Sequence, residues 1–188
     1  MKKIEIRFAG TGGQGVILAS VIFAEAAGVY EGWQVVQTQS YGPEARGGAS
    51  KADVIISDQS ILFPKCRKLD FLVCLSQSAV QKYIGDLKVG GLAVIDRFYV
   101  RECRHLKTIC LPLSETARQE LGRELFTNLI TVGAVAPITG LVTLDSLKKV
   151  VATRLPKQFI EINIRAMELG WNLAAKTIST SPPSEATY

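Results

Sequence analysis

The chain has little of the equipment that catalyses reactions near neutral pH. It carries one histidine, His105, set between Arg104 and Lys107, which reads as a surface histidine rather than a general base. No serine stands in a GxSxG elbow, which excludes a hydrolase built on that turn. Its four cysteines, Cys66, Cys74, Cys103 and Cys110, contain no CxxC pair, so neither a zinc ribbon nor an iron–sulfur run is written here. Cys74 and Cys110 fall within apolar, strand-like segments and are expected to be free buried thiols in a reducing compartment. Aromatic residues make up only 7%, and the basic clusters at 65–68 and 97–107 interleave no aromatics beyond Phe98 and Tyr99. A nucleic-acid reader is therefore set aside, leaving a solvated face or an anionic partner as readings of those clusters. Long apolar runs are missing too. VILASVIFAEAAGVY is broken by Glu25, and Glu5 and Arg7 interrupt what would follow a signal-peptide front, so no membrane span and no export are expected. The expected location is the cytoplasm.

What is present suits one globular unit. The 188 residues are 47% hydrophobic and 21% charged with a formal net charge of +5, which is ordinary for a single domain with a sizeable core. The expected domain covers 1–176, and the Ser/Thr/Pro-rich end, 177–188, is expected to fray or lie along a partner.

KIEIRFA near the start alternates at period two and reads as a strand. From Gly15, residues recur every three or four positions through Tyr30, which reads as a helix ending near Gly28 to Gly32, and WQVVQTQ follows as a second strand. Strand, helix and strand predict a right-handed crossover between parallel strands. ADVIIS, FLVCLS, LAVID and TICL read as strands of a sheet covered on both faces. From Leu113 the pattern is helical, in SETARQELG, NLITVGAVAPITG, LDSLKKVVATRL and KQFIEINIRAMELGWNLAAKT. The fold class is α/β: a three-layer α/β/α arrangement on a mostly parallel sheet, mixed as an alternative, with a helical C-terminal layer.

Gly10, Gly12 and Gly15 satisfy GxGxxG between the first strand and first helix. Glycines there permit a tight turn and bring helix N-terminal amides to a pyrophosphate. A dinucleotide site also needs an acid at the end of the second strand, which here ends Gln37, Thr38, Gln39. Two readings stay open for the residues themselves: a phosphate-binding turn, or glycines that only let loop and helix pack closely. Asp53, Asp58, Asp70 and Asp96 are expected at strand ends or turns, where they cap the chain rather than catalyse.

The longer segment GTGGQGVILAS, followed by YGPEARGG at 41–48, is more specific. Together with ADVIISDQSILFP, NLITVGA and EINIRAMELG, it resembles the gamma subunit or gamma domain of the 2-oxoacid:ferredoxin oxidoreductases, across nearly the whole chain. The resemblance implies a complex that oxidatively decarboxylates a 2-oxoacid such as pyruvate, 2-oxoglutarate or a branched-chain acid. Such a complex makes an acyl-CoA and passes two electrons to ferredoxin. Thiamine diphosphate, magnesium and the iron–sulfur clusters are then expected on alpha, beta and, where present, delta partner subunits, since this chain shows no signature for them. In isolation the chain is expected to be inactive, with a homodimer as one state. By the same resemblance, Gly12, Gly13, Gln14 and Gly15 present amides to the phosphates of coenzyme A. Arg46 suits a phosphate or an inter-subunit carboxylate, with Glu44 as its alternative partner. A beta-type indolepyruvate oxidoreductase subunit and a free-standing Rossmann-like nucleotide-binding protein are the alternatives.

Overall fold

A computed structural model of the chain describes residues 2–40 and 49–180. Six strands, β1 (Lys3–Thr11), β2 (Gln34–Gln39), β3 (Ala49–Ser57), β4 (Leu69–Cys74), β5 (Leu87–Asp96) and β6 (Thr108–Leu111), form one sheet in the order β2-β3-β1-β4-β5-β6. Six α-helices accompany it: α1 (Val16–Glu25), α2 (Gln77–Tyr83), α3 (Leu113–Leu121), α4 (Thr127–Thr139), α5 (Leu144–Arg154) and α6 (Lys157–Thr180). A π-helical turn, Ala26–Tyr30, ends α1.

The sheet is mixed. β1, β4, β5 and β6 run parallel, but β3 lies antiparallel between β1 and β2. The expected crossover from β1 through α1 to β2 therefore spans an inserted strand instead of joining neighbours. Burial explains the order: six consecutive residues of β3 are buried, which suits an interior strand, whereas no residue of β2 is. The other edge strand, β6, corrects a second expectation. Cys74 is buried in central β4, but Cys110 on β6 is exposed, because an edge strand has one open flank.

Both faces are covered, unequally. Ile6, Phe8, Val54, Ile56, Phe71, Val73 and Val94 pack beneath α1, α3, α4, α5 and α6. All ten residues from Thr127 to Ala136 of α4 are buried, as expected of a helix that is apolar all round. α6 instead buries a stripe of Asn163, Ala166, Met167, Gly170 and Ala174. On the opposite face α2 is the one α-helix among the described residues, packing through Ala79, Val80 and Tyr83, with Val100 from the chain after β5 beside it. That helix has no strong apolar period and was not expected; Ser76 starts it by accepting a hydrogen bond from the Ala79 amide at 3.2 Å. The helix α6 continues past the expected boundary at 176, its Thr177 and Thr180 hydroxyls bonding back to carbonyls of the preceding turn, and residues 181–188 lie outside the described residues.

The sparsely covered face is polar at its centre. The polar half of β1, Glu5 and Arg7, is only 5% and 4% exposed. Arg7 forms a fork with Asp53 of β3, Nε to Oδ1 at 2.6 Å and Nη2 to Oδ2 at 2.9 Å, and also meets Asp86. Asp53 thus sits mid-strand in a buried ion pair, not at a turn, because its register partner is Arg7. The remaining aspartates behave as expected: Asp58 accepts from the Lys2 amide, Asp70 from the Glu5 amide, and Asp96 from the Ser114 amide at the start of α3.

Glu5 makes the stability of this face pH-dependent. Burial alone would raise its pKa, but hydrogen bonds from Lys3 and from the Arg67 and Lys68 amides outweigh that and hold it below the ordinary 4.5. The unfolded chain then binds the extra proton first, so this contribution is complete above 4.5 and is lost as the pH falls through the lowered value. Glu5→Gln should be less stable than the parent at neutral pH, and urea titrations should show the gap closing below pH 4.5. A gap that persists unchanged into acid would contradict the assignment.

Candidate functional site

The helices leave neighbouring parallel strands in opposite directions. After β1 the chain enters α1 on the heavily covered face, and after β4 it enters α2 on the other. Between the C-terminal ends of β1 and β4 this divergence opens a crevice, the topological switch point where α/β sheets place ligands. The glycine turn 10–15 forms its lip.

Gly15 starts α1 with a left-handed φ of 72°, and a Cβ there would stand 2.5 Å from Nδ2 of Asn128 at the head of α4. Only glycine meets both demands. Because Gly15 has no side chain, it cannot cap the first amides of α1, and among the described residues no side chain does so, which leaves them available to an anion. Gly12 and Gly13 are exposed, and Gly13 has φ 93° with nothing within 4 Å of a built Cβ. The side chain of Gln14 is committed elsewhere. Its Oε1 accepts from the Thr11 amide at 2.7 Å, and its Nε2 donates to the Leu75 carbonyl at 2.9 Å, bracing the turn against the end of β4. The donors left over are backbone groups, with those of Gly12 and Gly13 on the surface.

The segment 41–48, including Arg46, lies outside the described residues, but the residues flanking it, Ser40 and Ala49, do not. Ala49 pairs with Thr11, and the Ser40 amide donates to Lys51 O at 3.3 Å. Strand register thus brings Ala49, the residue that follows YGPEARGG, to the glycine turn some thirty positions earlier in the sequence. The inserted β3 also bears on the dinucleotide reading. The end of β2 is one strand removed from β1, so the position where a ribose-binding acid would stand is not beside the turn at all.

Other candidates resolve structurally. The His105 ring hydrogen-bonds Gly91 O at 2.7 Å. Asp96 is buried, and burial pushes its carboxyl pKa up despite hydrogen bonds from Ser114 and the backbone; it holds the start of α3. Among the described residues no three His, Cys, Asp or Glu side chains gather to hold a metal, and no helix is long and apolar enough to cross a membrane. A cavity of about 420 Å³ on the polar face, lined by Arg7, Gln39, Lys51, Lys65 and Cys66 among others, was not foreseen. Burial, the largest influence, pushes the Cys66 thiol there up to about 12, so it is not a ready nucleophile. Its residues come from β1, β2, β3 and the loop before β4, and no linear spacing signals that convergence.

The comparisons agree with this geometry. The family model described as pyruvate ferredoxin/flavodoxin oxidoreductase matches residues 5–173. The chain is 42% identical over 174 residues to the 2-oxoglutarate synthase subunit KorC of Methanocaldococcus jannaschii, covering 90% of this chain and 93% of that protein. Among solved structures it is similar to the gamma subunit of the keto/oxoacid ferredoxin oxidoreductase of Geobacter sulfurreducens, with TM-score 0.85 and 41% identity over 94% of this chain and 98% of that one. It also shares the fold of part of the 2-oxoglutarate:ferredoxin oxidoreductase of Magnetococcus marinus, a structure with 2-oxoglutarate, coenzyme A and succinyl-CoA bound. There the TM-score is 0.84 at 22% identity, over 99% of this chain and 33% of that longer one. Neither the indolepyruvate-type beta subunit nor the free-standing nucleotide-binding protein receives support. With its glycine turn, mixed sheet and C-terminal helices matched along nearly its whole length, the chain belongs to the pyruvate ferredoxin/flavodoxin oxidoreductase family, as a gamma-type subunit.

Proposed function

We propose that this subunit supplies the phosphate-binding turn for coenzyme A in an assembled oxidoreductase whose 2-oxoacid is 2-oxoglutarate. The observation that carries the reading is the glycine turn itself: exposed Gly12 and Gly13 and an uncapped α1 N-terminus, held in a switch-point crevice by the amide of Gln14. These are backbone donors with no competing carboxylate among the hydrogen bonds they make, a donor set that suits a phosphate. Arg46, on the segment that leads into Ala49, the register partner of Thr11, supplies a cation for the same anion. Coenzyme A is supported by the Magnetococcus marinus enzyme that contains this fold, and 2-oxoglutarate by the name of the methanogen relative. Thiamine diphosphate, magnesium, iron–sulfur clusters and the route to ferredoxin belong, on this reading, to alpha and beta companions in the cytoplasm, with a delta subunit where one exists. Coenzyme A, when bound, accepts the acyl group; the residues of this chain orient its phosphates.

The test is the CoA- and 2-oxoglutarate-dependent reduction of an artificial acceptor by the co-expressed complex. Gly13→Val places a branched side chain over the turn and strains a positive φ. Loss of one charge-assisted phosphate contact, about 1.5–3 kcal/mol, should raise the KM for coenzyme A about 10- to 100-fold and leave the KM for the 2-oxoacid unchanged. Gly32→Val, at φ 76° with equally open surroundings in a different turn, is the control for strain. An unchanged CoA KM in Gly13→Val, or turnover by the isolated chain, would count against the proposal.

A further inference from the structure

Beside the glycine turn, on the side of α4, lies a smaller pocket that the phosphate site does not use. It measures about 240 Å³ and is walled by Leu18, Leu125, Phe126, Leu155, Pro156 and Phe159, drawn from the starts of α1, α4 and α6 and the turns before them. Leu125 is 70% exposed and Phe159 45%, so apolar surface continues outward over the rim. Two asparagines also line it. Asn128 is 5% exposed, and its Oδ1 accepts from the Leu129 amide while its Nδ2 donates to no described residue. Asn163 is 8% exposed, and its Nδ2 donates to Phe159 O while its Oδ1 accepts from no described residue. One carboxamide donor and one acceptor at the pocket therefore have no partner among the described residues and are available to whatever enters it.

We propose that this pocket receives a loop of a companion subunit of the oxidoreductase, seated by one aliphatic or aromatic side chain with an acidic residue beside it. A carboxamide donor and acceptor are the complement of a peptide's C=O and N–H. The volume falls below the about 300–1,000 Å³ of small-molecule sites, yet it suits an anchoring side chain, and a rim of exposed apolar residues is the anatomy of an interface core. Charge selects the neighbour. Arg97, Arg118 and Arg165 pair with glutamates, whereas Arg123 at the rim makes no ion pair among the described residues. The N-termini of α1, α4 and α6 add positive potential at the mouth. The pocket also continues directly from the glycine turn, since Asn128 touches Gly15, so a loop seated here closes one side of that crevice.

The inference rests on the assignment as a subunit, and the experiment separates the two. The parent chain and the double variant Leu125→Glu/Phe159→Glu are each titrated into the purified companion subunits and followed by native mass spectrometry and biosensor binding. Both substituted side chains are exposed, so the isolated variant should melt with the parent. Its affinity for the companions should fall at least tenfold, whereas Val89→Glu and Leu106→Glu, on fully exposed side chains elsewhere, should bind as the parent does. Arg123→Glu should slow association and reduce its salt dependence. A photo-reactive residue at position 125 should cross-link to a companion segment containing an acid next to an apolar residue. Unimpaired assembly of the double variant overturns the pocket as a docking site while leaving the subunit reading intact; failure of the parent chain to assemble overturns both. Loss of self-association with companion binding unchanged would assign the pocket to a second copy of this chain. A raised CoA KM with normal assembly would assign it to the small molecule, and either result overturns the proposal.

Discussion

Replacing Asp53 with alanine should cost about 3–5 kcal/mol, because it removes one partner of a buried ion pair and leaves the other charged. The guanidinium of Arg7 is 4% exposed and cannot shed its charge: burial alone would lower its pKa, but Asp53 and Asp86 hold it above the ordinary arginine value. Asp86 is about half exposed and replaces only a fraction of what Asp53 supplies. At about 2–4 °C per kcal/mol for a chain of this size, the melting temperature should fall by about 6–20 °C. The companion experiment distinguishes the pair from its setting. Arg7→Met combined with Asp53→Leu fills similar space without charge, and it should recover most of the loss, since the desolvation cost of the pair vanishes with it. A single variant within 1 kcal/mol of the parent would show that water reaches Arg7 through the adjoining cavity. Function should follow stability here, because the pair fixes β1 against β3 and so fixes the glycine turn beside Ala49.

The second large effect lies where α4 crosses α6. A Cβ on Gly170 would stand 1.8 Å from the carbonyl oxygen of Ile130, and one on Gly133 would stand 2.0 Å from that of Met167. Both obstacles are backbone, so no rotamer change relieves them. Gly170→Ala must push the helices apart along a seam where α4 is buried on every side, which opens gaps on both flanks. We expect a loss of about 3 kcal/mol, at the upper end for a single added methyl, and a fall of about 6–12 °C in thermal unfolding. Gly140→Ala is the contrast. It closes α4 at φ 65° with nothing within 4 Å, so only backbone strain of about 1 kcal/mol is expected. Equal losses in the two variants would mean that conformation, and not close approach, sets the requirement at Gly170.

That crossing explains part of what the sequence made recognisable. NLITVGA and EINIRAMELG signalled the family through their asparagines and glycines. In the fold, Gly133 and Gly170 are the contact between those two helices, and Asn128 and Asn163 line one pocket at their heads. The strands were legible for the same kind of reason. A period of two in β1 and short β-branched runs in β3 to β6 reflect local burial, which each segment carries in its own residues. α2 was missed because a seven-residue helix under a thin layer needs little apolar period. Cys110 was misplaced because a strand's sequence does not say whether it has one neighbour or two.

The sequence by itself determined most of the element types, the helical C-terminal layer and the two glycine-rich motifs, GTGGQG and YGPEARGG. Each of these depends on residues close together along the chain, where propensity, periodicity and steric allowance act locally. Only the tertiary structure decided that β3 enters antiparallel between β1 and β2, that Asp53 meets Arg7, that the Gln14 side chain braces its turn against the end of β4, and that three helix heads enclose two asparagines. Those facts depend on which distant segments become neighbours, and that choice is settled by the burial of the whole sheet and its helices together, not by any one segment.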